Sequence, residues 1–299
     1  MIKIITDDGA DICKARLDEY EIETFPIPIN DGENEYIMRQ TIESKEFYDG
    51  MRAGTDYKTS QVARGYIENR FKELAEEGHE VIYLTLSSGL SGTYNNACLA
   101  REEVLKSHPD AKIEVIDSMG ASLGQGAAIL RAGLMKKAGA SFEEIVADLK
   151  NEVANQMYFF TVGDLEYLYR GGRLSKTSAV IGGLLNIMPF LWIDQEDGKL
   201  KSIDKVRSKK AYFKKLKTYM NKYSKDGVFN PDQKVTIAHG QWPEMMEEAV
   251  NFLLEMGVKR ENIIEEEILC VIGAHTGPEV FALYYSQDPS SYEMYEYLK

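Results

Sequence analysis

Short apolar runs alternate with amphipathic stretches through the first half of the chain. Residues 3–6 (KIIT) read as a strand, Asp7-Asp8-Gly9 as its turn, and residues 10–20 as a helix. Residues 24–29 (TFPIPI) form a second extended segment whose prolines suit a sheet edge, and Asn30-Asp31-Gly32 supplies hairpin chemistry before residues 36–39. A short helix is predicted over 44–51, a hydroxyl-bearing loop over 57–61, and a longer helix over 66–77, where Ile67, Phe71 and Leu74 recur at helical spacing. Residues 81–86 (VIYLTL) are apolar at successive positions, as a parallel strand buried on both faces requires. They run into the turn 87–92 (SSGLSG) and a helix to residue 107. A strand at 112–117, a helix over 121–139 and a helix over 141–156, with Ser141 and Glu144 at capping-box spacing, complete a βαβα rhythm. That alternation predicts a parallel sheet covered by helices.

After residue 157 the pattern changes. Strands are predicted at 158–162, 188–194 and 200–206, the last two joined by the turn Glu196-Asp197-Gly198 into a hairpin. Short helical segments fall at 164–169 and 176–185, on either side of the break Arg170-Gly171-Gly172-Arg173. A basic helix over 208–223, a strand at 235–239, a helix over 244–256 and closing strands at 263–272 and 280–286 follow. The expected fold class is therefore α/β: an N-terminal Rossmann-like parallel-sheet domain over 1–155 and a C-terminal α+β domain over 156–299, with a ligand between them.

A length of 299 residues fits two cores. The three cysteines, Cys13, Cys98 and Cys270, are scattered and lack metal-ligand spacing, which predicts a reducing compartment and no structural zinc; separately, no cofactor is expected. A formal net charge of -13 argues against nucleic acid as a partner. The N-terminus has no signal-peptide pattern, and the longest apolar stretch, 179–193, is broken by Gly182, Gly183, Asn186 and Pro189 and falls short of the ~20 residues of a membrane span. A cytoplasmic protein without membrane insertion is expected.

The chemistry concentrates in loops. The turn 87–92 with Thr93 carries four hydroxyls, more than a helix cap needs, at a place where backbone N–H groups gather for an anion. No Gly-Lys-Ser/Thr follows, so it is not a nucleotide loop, and Ser91 stands one position late for a GxSxG elbow. Thr59-Ser60-Gln61 is a second hydroxyl cluster before a helix. If both loops lie at the carboxyl ends of parallel strands, Thr59 and Ser91 face one crevice and suit a single carboxylate. His275 lies in a small-residue loop, 272–278 (IGAHTGP), between two apolar strands; a Ser91/His275 nucleophile pair is conceivable, with no acid assigned to orient the histidine. Arg170, Arg173 and the basic run 199–217, which includes Arg207, form a candidate docking surface for a phosphate or an acidic partner, set against an ordinary solvated face.

Taken together, Ile5-Thr6-Asp7, Thr59-Ser60-Gln61, residues 86–93 (LSSGLSGT), Asp117-Ser118, residues 165–168 (LEYL) with Arg170-Gly-Gly-Arg173, residues 184–187 (LLNI) and residues 272–277 (IGAHTG) resemble the DegV family, in the family's order and over nearly the whole chain. The resemblance implies that two domains enclose one long-chain fatty acid. It implies a carboxylate held at Thr59 and Ser91, with His275 beside them and Ser60 and Gly92 supporting the anchor loops, while the acyl chain runs into the second domain along residues 179–193. It further implies a carrier subunit, not itself an enzyme, that presents the carboxylate to a separate ATP-dependent fatty acid kinase for acyl phosphate formation and phospholipid synthesis, with Arg170, Arg173 and Arg207 near the kinase or phosphate. The chain departs from the family pattern at Val62-Ala63, Met188 and Asp8. The alternative is a serine-type hydrolase or acyltransferase using Ser91 and His275.

Overall fold

The computed structural model describes residues 1–175 and 187–288. The predicted segment 176–185 and the start of the apolar stretch 179–193 lie outside them. In chain order the first elements are β1 (Ile2–Asp7), α1 (Lys14–Glu19), β2 (Ile22–Phe25), β3 (Ile29–Asn30), β4 (Glu35–Tyr36), α2 (Ser44–Arg52) and β5 (Lys58–Thr59). Then come α3 (Arg64–Glu76), β6 (Glu80–Thr85), α4 (Thr93–Ser107), β7 (Ile113–Asp117), α5 (Ser122–Lys137) and α6 (Phe142–Asn155). The remainder comprises β8 (Gln156–Val162), α7 (Glu166–Arg170), β9 (Met188–Ile193), β10 (Leu200–Val206), α8 (Lys209–Tyr223), β11 (Val235–His239), α9 (Pro243–Glu255), β12 (Ile263–Glu267), α10 (Cys270–Thr276) and β13 (Val280–Ser286).

Strands β2-β1-β6-β7 make a four-stranded sheet, parallel throughout. Period-2 alternation divides β6 between two cores. Val81 and Tyr83 pack with Ile67, Phe71 and Leu74 of α3 and with Ala97 and Val104 of α4; Ile82 and Leu84 pack with Ile129 of α5 and Ile145 and Leu149 of α6. Both faces are covered, which is why this run is almost wholly apolar, its one hydroxyl residue, Thr85, being buried and bonded to the Ile116 carbonyl. The capping box of α6 forms as its spacing predicts, the Glu144 N–H donating to Ser141 Oγ (3.3 Å) and the Ser141 N–H to Glu144 Oε2 (2.8 Å).

The second sheet has the order β10-β9-β8-β13-β11-β12, antiparallel except for β11 and β12. On β8, Met157 and Phe159 face outward into a core with α8 and α9, whereas Tyr158 and Phe160 join the core that also holds Val81 and Tyr83. This sheet thus packs helices on one face and the first sheet's neighbours on the other. The predicted hairpin is present: β9 and β10 pair from Ile193–Leu200 to Met188–Val206. Its tip docks on the turn after β6, where Ser87 Oγ donates to the Gly198 carbonyl (2.8 Å), and a Cβ on Gly89 would overlap the backbone of Asp197 and Gly198. Gly89→Ala is therefore expected to lower stability by about 1–3 kcal/mol, seen as a lower urea midpoint; an unchanged midpoint would mean that the tip does not sit there.

Three sequence expectations are corrected. Residues 24–29 are not one strand: Pro26 and Pro28 lack ladder donors, so β2 ends at Phe25 and the chain re-enters at β3 as part of a small antiparallel sheet, β4-β3-β5. The strand predicted over 263–272 stops at Glu267, and the small-residue stretch around His275 is the helix α10, not a loop. Its small residues serve close packing, since a Cβ on Gly273 would meet the Tyr48 hydroxyl at 2.6 Å. In the basic run 199–217, Lys209 pairs with Glu248 (3.0 Å), Lys201 with Asp194 (2.5 Å) and Lys215 with Asp204, while Lys205, Arg207, Lys210, Lys214 and Lys217 are exposed. Among the described residues no helix is long and apolar enough to cross a membrane.

Candidate functional site

Thr59 is the last residue of β5, opposite Ile29 of β3. The Ser60 N–H donates to the Pro28 carbonyl (2.9 Å), which continues the ladder and fixes the loop that follows. Thr59 thus lies in the small antiparallel sheet and not at the carboxyl end of a parallel strand, as the crevice argument supposed. Ser91 does sit beyond such a strand, β6. The two loops are tied at the head of α4: the Val62 N–H donates to Thr93 Oγ1 (3.1 Å) and Asn96 Nδ2 to the Val62 carbonyl (2.9 Å). Ser91 Oγ accepts from the Thr93 N–H (3.2 Å) and lies 3.0 Å from Thr93 Oγ1. Gly92 is the cap of α4 and packs on Gln61, leaving no room for a Cβ.

His275, in the last turn of α10, places Nε2 2.7 Å from Thr59 Oγ1. Burial, with the Arg173 charge added, pushes its pKa down to about 3, so the imidazole is neutral at physiological pH. Nδ1 is buried without a hydrogen-bond partner among the described residues and rests against Gly171, where a Cβ would collide with it. A neutral ring has one N–H; on Nδ1 it would be a buried, unmatched donor, so the favourable tautomer carries it on Nε2. Thr59 then accepts from His275, and its own hydroxyl proton is free to point elsewhere.

That free direction is a cavity. It holds about 750 Å³ of atom-free space, its open mouth included. Thr59, Ser60, Ser91, Arg173 and His275 line it together with Leu86, Leu90, Phe160, Leu168, Ile193 and Ile268. Arg173 is held by its donors, Nε to the Leu90 carbonyl (3.1 Å) and Nη1 to the Gly171 carbonyl (2.6 Å), with no carboxylate partner among the described residues. Burial pushes its pKa down from the ordinary arginine range. A partly buried cation without a counter-charge, beside two hydroxyls able to donate, is an environment suited to an anion.

A second, polar hollow shares Thr59, Arg173 and His275 with the cavity and opens outward past Lys58, Tyr167 and Arg170. There Arg170 pairs with Asp56 (3.1 Å) and lies over the Tyr167 ring. Arg207 does not join this group. It is exposed just after β10, whose far end, Leu200, borders the cavity roughly 20 Å away at ~3.3 Å per residue. Of the apolar stretch 179–193, the described part contributes Ile193 alone; the sleeve is built mainly from the turn after β6, β8, α10 and β13. Ile268, Val271 and Ile272 were hidden within a strand prediction. Ser122 and Tyr284 also line the cavity, and nothing in their sequence context marks them.

Residues 1–288 match a family model described as "Uncharacterised protein, DegV family". A DegV domain-containing protein of Clostridium perfringens is 35% identical over 288 residues, covering 95% of this chain and 97% of that one. A Thermus thermophilus DegV protein, described for its fatty acid binding, superposes with a TM-score of 0.83 at 27% identity, over 95% of this chain and 99% of its own. A stearic acid-binding protein of Eubacterium ventriosum does so with a TM-score of 0.81 at 28% identity, over 96% and 99%. Full-length family coverage and a fold shared from end to end lead to one conclusion: the chain belongs to the DegV family.

Proposed function

We propose that this protein binds one long-chain fatty acid, with its carboxylate held by the Thr59 and Ser91 hydroxyls, His275 orienting Thr59 beside them, and its chain in the apolar cavity. The observation that carries this reading is an apolar cavity whose polar groups gather at one end, around the Thr59–His275 hydrogen bond and Arg173. Fatty acid binding by the Thermus and Eubacterium relatives supports it. Burying some fifteen methylenes at ~0.8 kcal/mol each supplies a gross driving force on the order of 10 kcal/mol before binding costs. The unit over 1–155 supplies the hydroxyl loops, and much of the sleeve comes from 156–299. In this proposal the protein is a cytoplasmic carrier subunit: the hollow past Arg170 gives a separate ATP-dependent kinase access to the carboxylate, which it converts to an acyl phosphate.

The hydrolase alternative finds less support. His275 contacts Thr59, Ser91 contacts Thr93, and no carboxylate orients His275 Nδ1 among the described residues. A histidine with a pKa near 3 is also a weak general base at neutral pH. Native mass spectrometry of the purified protein tests the two. A non-covalent fatty acid, retained from expression or taken up from added palmitate or oleate, is the expected result. A lipid-free protein that ignores both sinks the carrier reading, and a covalent acyl adduct would favour the hydrolase.

A further inference from the structure

We propose that the acyl cavity contains a second polar contact, Ser122 backed by Asp11 and Tyr284, which selects fatty acids bearing a hydroxyl partway along the chain. This inference rests on the fatty-acid reading above. Ser122 lines the cavity, is only 2% exposed, and its Oγ has no hydrogen-bond partner; Asp11, also 2% exposed, has Oδ2 in the same condition. The Ser122 hydroxyl lies near the Asp11 carboxyl and the Tyr284 hydroxyl without completing a well-aligned hydrogen bond to either. Tyr284 lines the cavity as well. Leaving a buried hydroxyl unpaired costs ~1–3 kcal/mol, so a wall meant for methylenes alone would do better with alanine.

Helix capping does not account for Ser122. The cap position of α5 is Ala121, and Ser122 is the first helical residue, held at φ +55°. Asp11 is likewise at φ +51°, where its Oδ1 accepts from the Leu269 N–H (3.1 Å) at the start of α10. Two neighbouring non-glycine residues in the left-handed region, Ser122 at the cavity wall and Asp11 behind it, are the kind of local strain that surrounding structure maintains at binding sites.

The placement defines the ligand class. Leu269 and His275 are six residues apart on α10, so at 1.5 Å per residue the Asp11 contact lies roughly 9 Å along the helix from the carboxylate anchor. That distance falls within a long acyl chain, short of its end. A secondary alcohol there donates to Ser122, which Asp11 backs, or accepts from Ser122 or Tyr284; a methylene does neither. A second carboxylate is disfavoured beside Asp11. Burial raises the Asp11 carboxyl to about 7, so a neutral partner matches its partly protonated state.

Competition native mass spectrometry on the full chain tests this with equimolar stearate and 10- or 12-hydroxystearate. At least one hydroxy acid is expected to outcompete stearate by about three- to thirtyfold, one or two hydrogen bonds' worth. Ser122→Ala, which keeps the same backbone demand, should bring the ratio to about one. Stearate equal to or ahead of both isomers in the wild type overturns the proposal without any variant, as does an unchanged ratio in Ser122→Ala. If stearate and the hydroxy acids all fail to bind, the fatty-acid reading itself falls and takes this one with it.

Discussion

Thr59→Ala combined with Ser91→Ala is expected to weaken fatty acid binding by at least about a hundredfold. Each hydroxyl would donate to a carboxylate, and a hydrogen bond to a charged group contributes ~1.5–3 kcal/mol, so the pair is worth two to four powers of ten. The chain's apolar burial would remain, which predicts weak residual uptake. Ser91 also accepts from the Thr93 N–H at the head of α4, a contact of the kind whose loss costs ~0.5–2 kcal/mol of stability. The affinity measurement, by calorimetry with palmitate, therefore needs a melting curve beside it. A folded double variant that binds palmitate as the wild type does would place the carboxylate elsewhere.

The second large effect concerns pH. Burial raises the carboxyls of Asp7 and Asp8 to about 6 and that of Asp11 to about 7, whereas an unfolded chain ionises aspartate near 4. Between about pH 4 and 7 the folded protein holds protons that the unfolded chain has released. The stability these groups confer is thus fully present below pH 4 and is lost as pH rises through 6 to 7. His275 and His239 oppose this on the acid side, because burial keeps them neutral while the unfolded chain protonates them below about 6.5. Asp11→Asn isolates one carboxyl. Asparagine keeps an oxygen for the Leu269 N–H and cannot ionise, so the variant should exceed the wild type at pH 8 by on the order of 1–3 kcal/mol, with the advantage vanishing near pH 4. Parallel stability curves across that range would show that Asp11 does not titrate in the folded state.

The parallel half of the fold was legible because its signals are local. An unbroken apolar run such as 81–86 has one good solution, burial on both faces, and the Ser141–Glu144 spacing names its own helix start. The candidate site was legible as a set of loops and a family resemblance, and Thr59, Ser91 and His275 do line one cavity. The supporting geometry was not readable. Gly273-Ala274 looks like a loop because nothing in the sequence records that Tyr48, more than two hundred residues earlier, presses against a helix there. Thr59 owes its position to pairing with Ile29, a contact that no periodicity over two residues reveals. Within the basic run 199–217, nothing local marks which lysines find partners in the fold, Lys209 with Glu248 and Lys215 with Asp204.

The core that receives Tyr83 and Phe71 from the first sheet and its helices also receives Phe160, Leu191 and Ala282 from the second, and the cavity lies within it. Neither sheet can melt without stripping apolar cover from the other, so heating should produce one cooperative transition instead of two. A molecule filling that space touches both sides of the shared interior at once. It acts as mortar, and its occupancy shifts the transition upward by RT ln(1 + [L]/Kd), so that a calorimeter can read whether the protein is loaded.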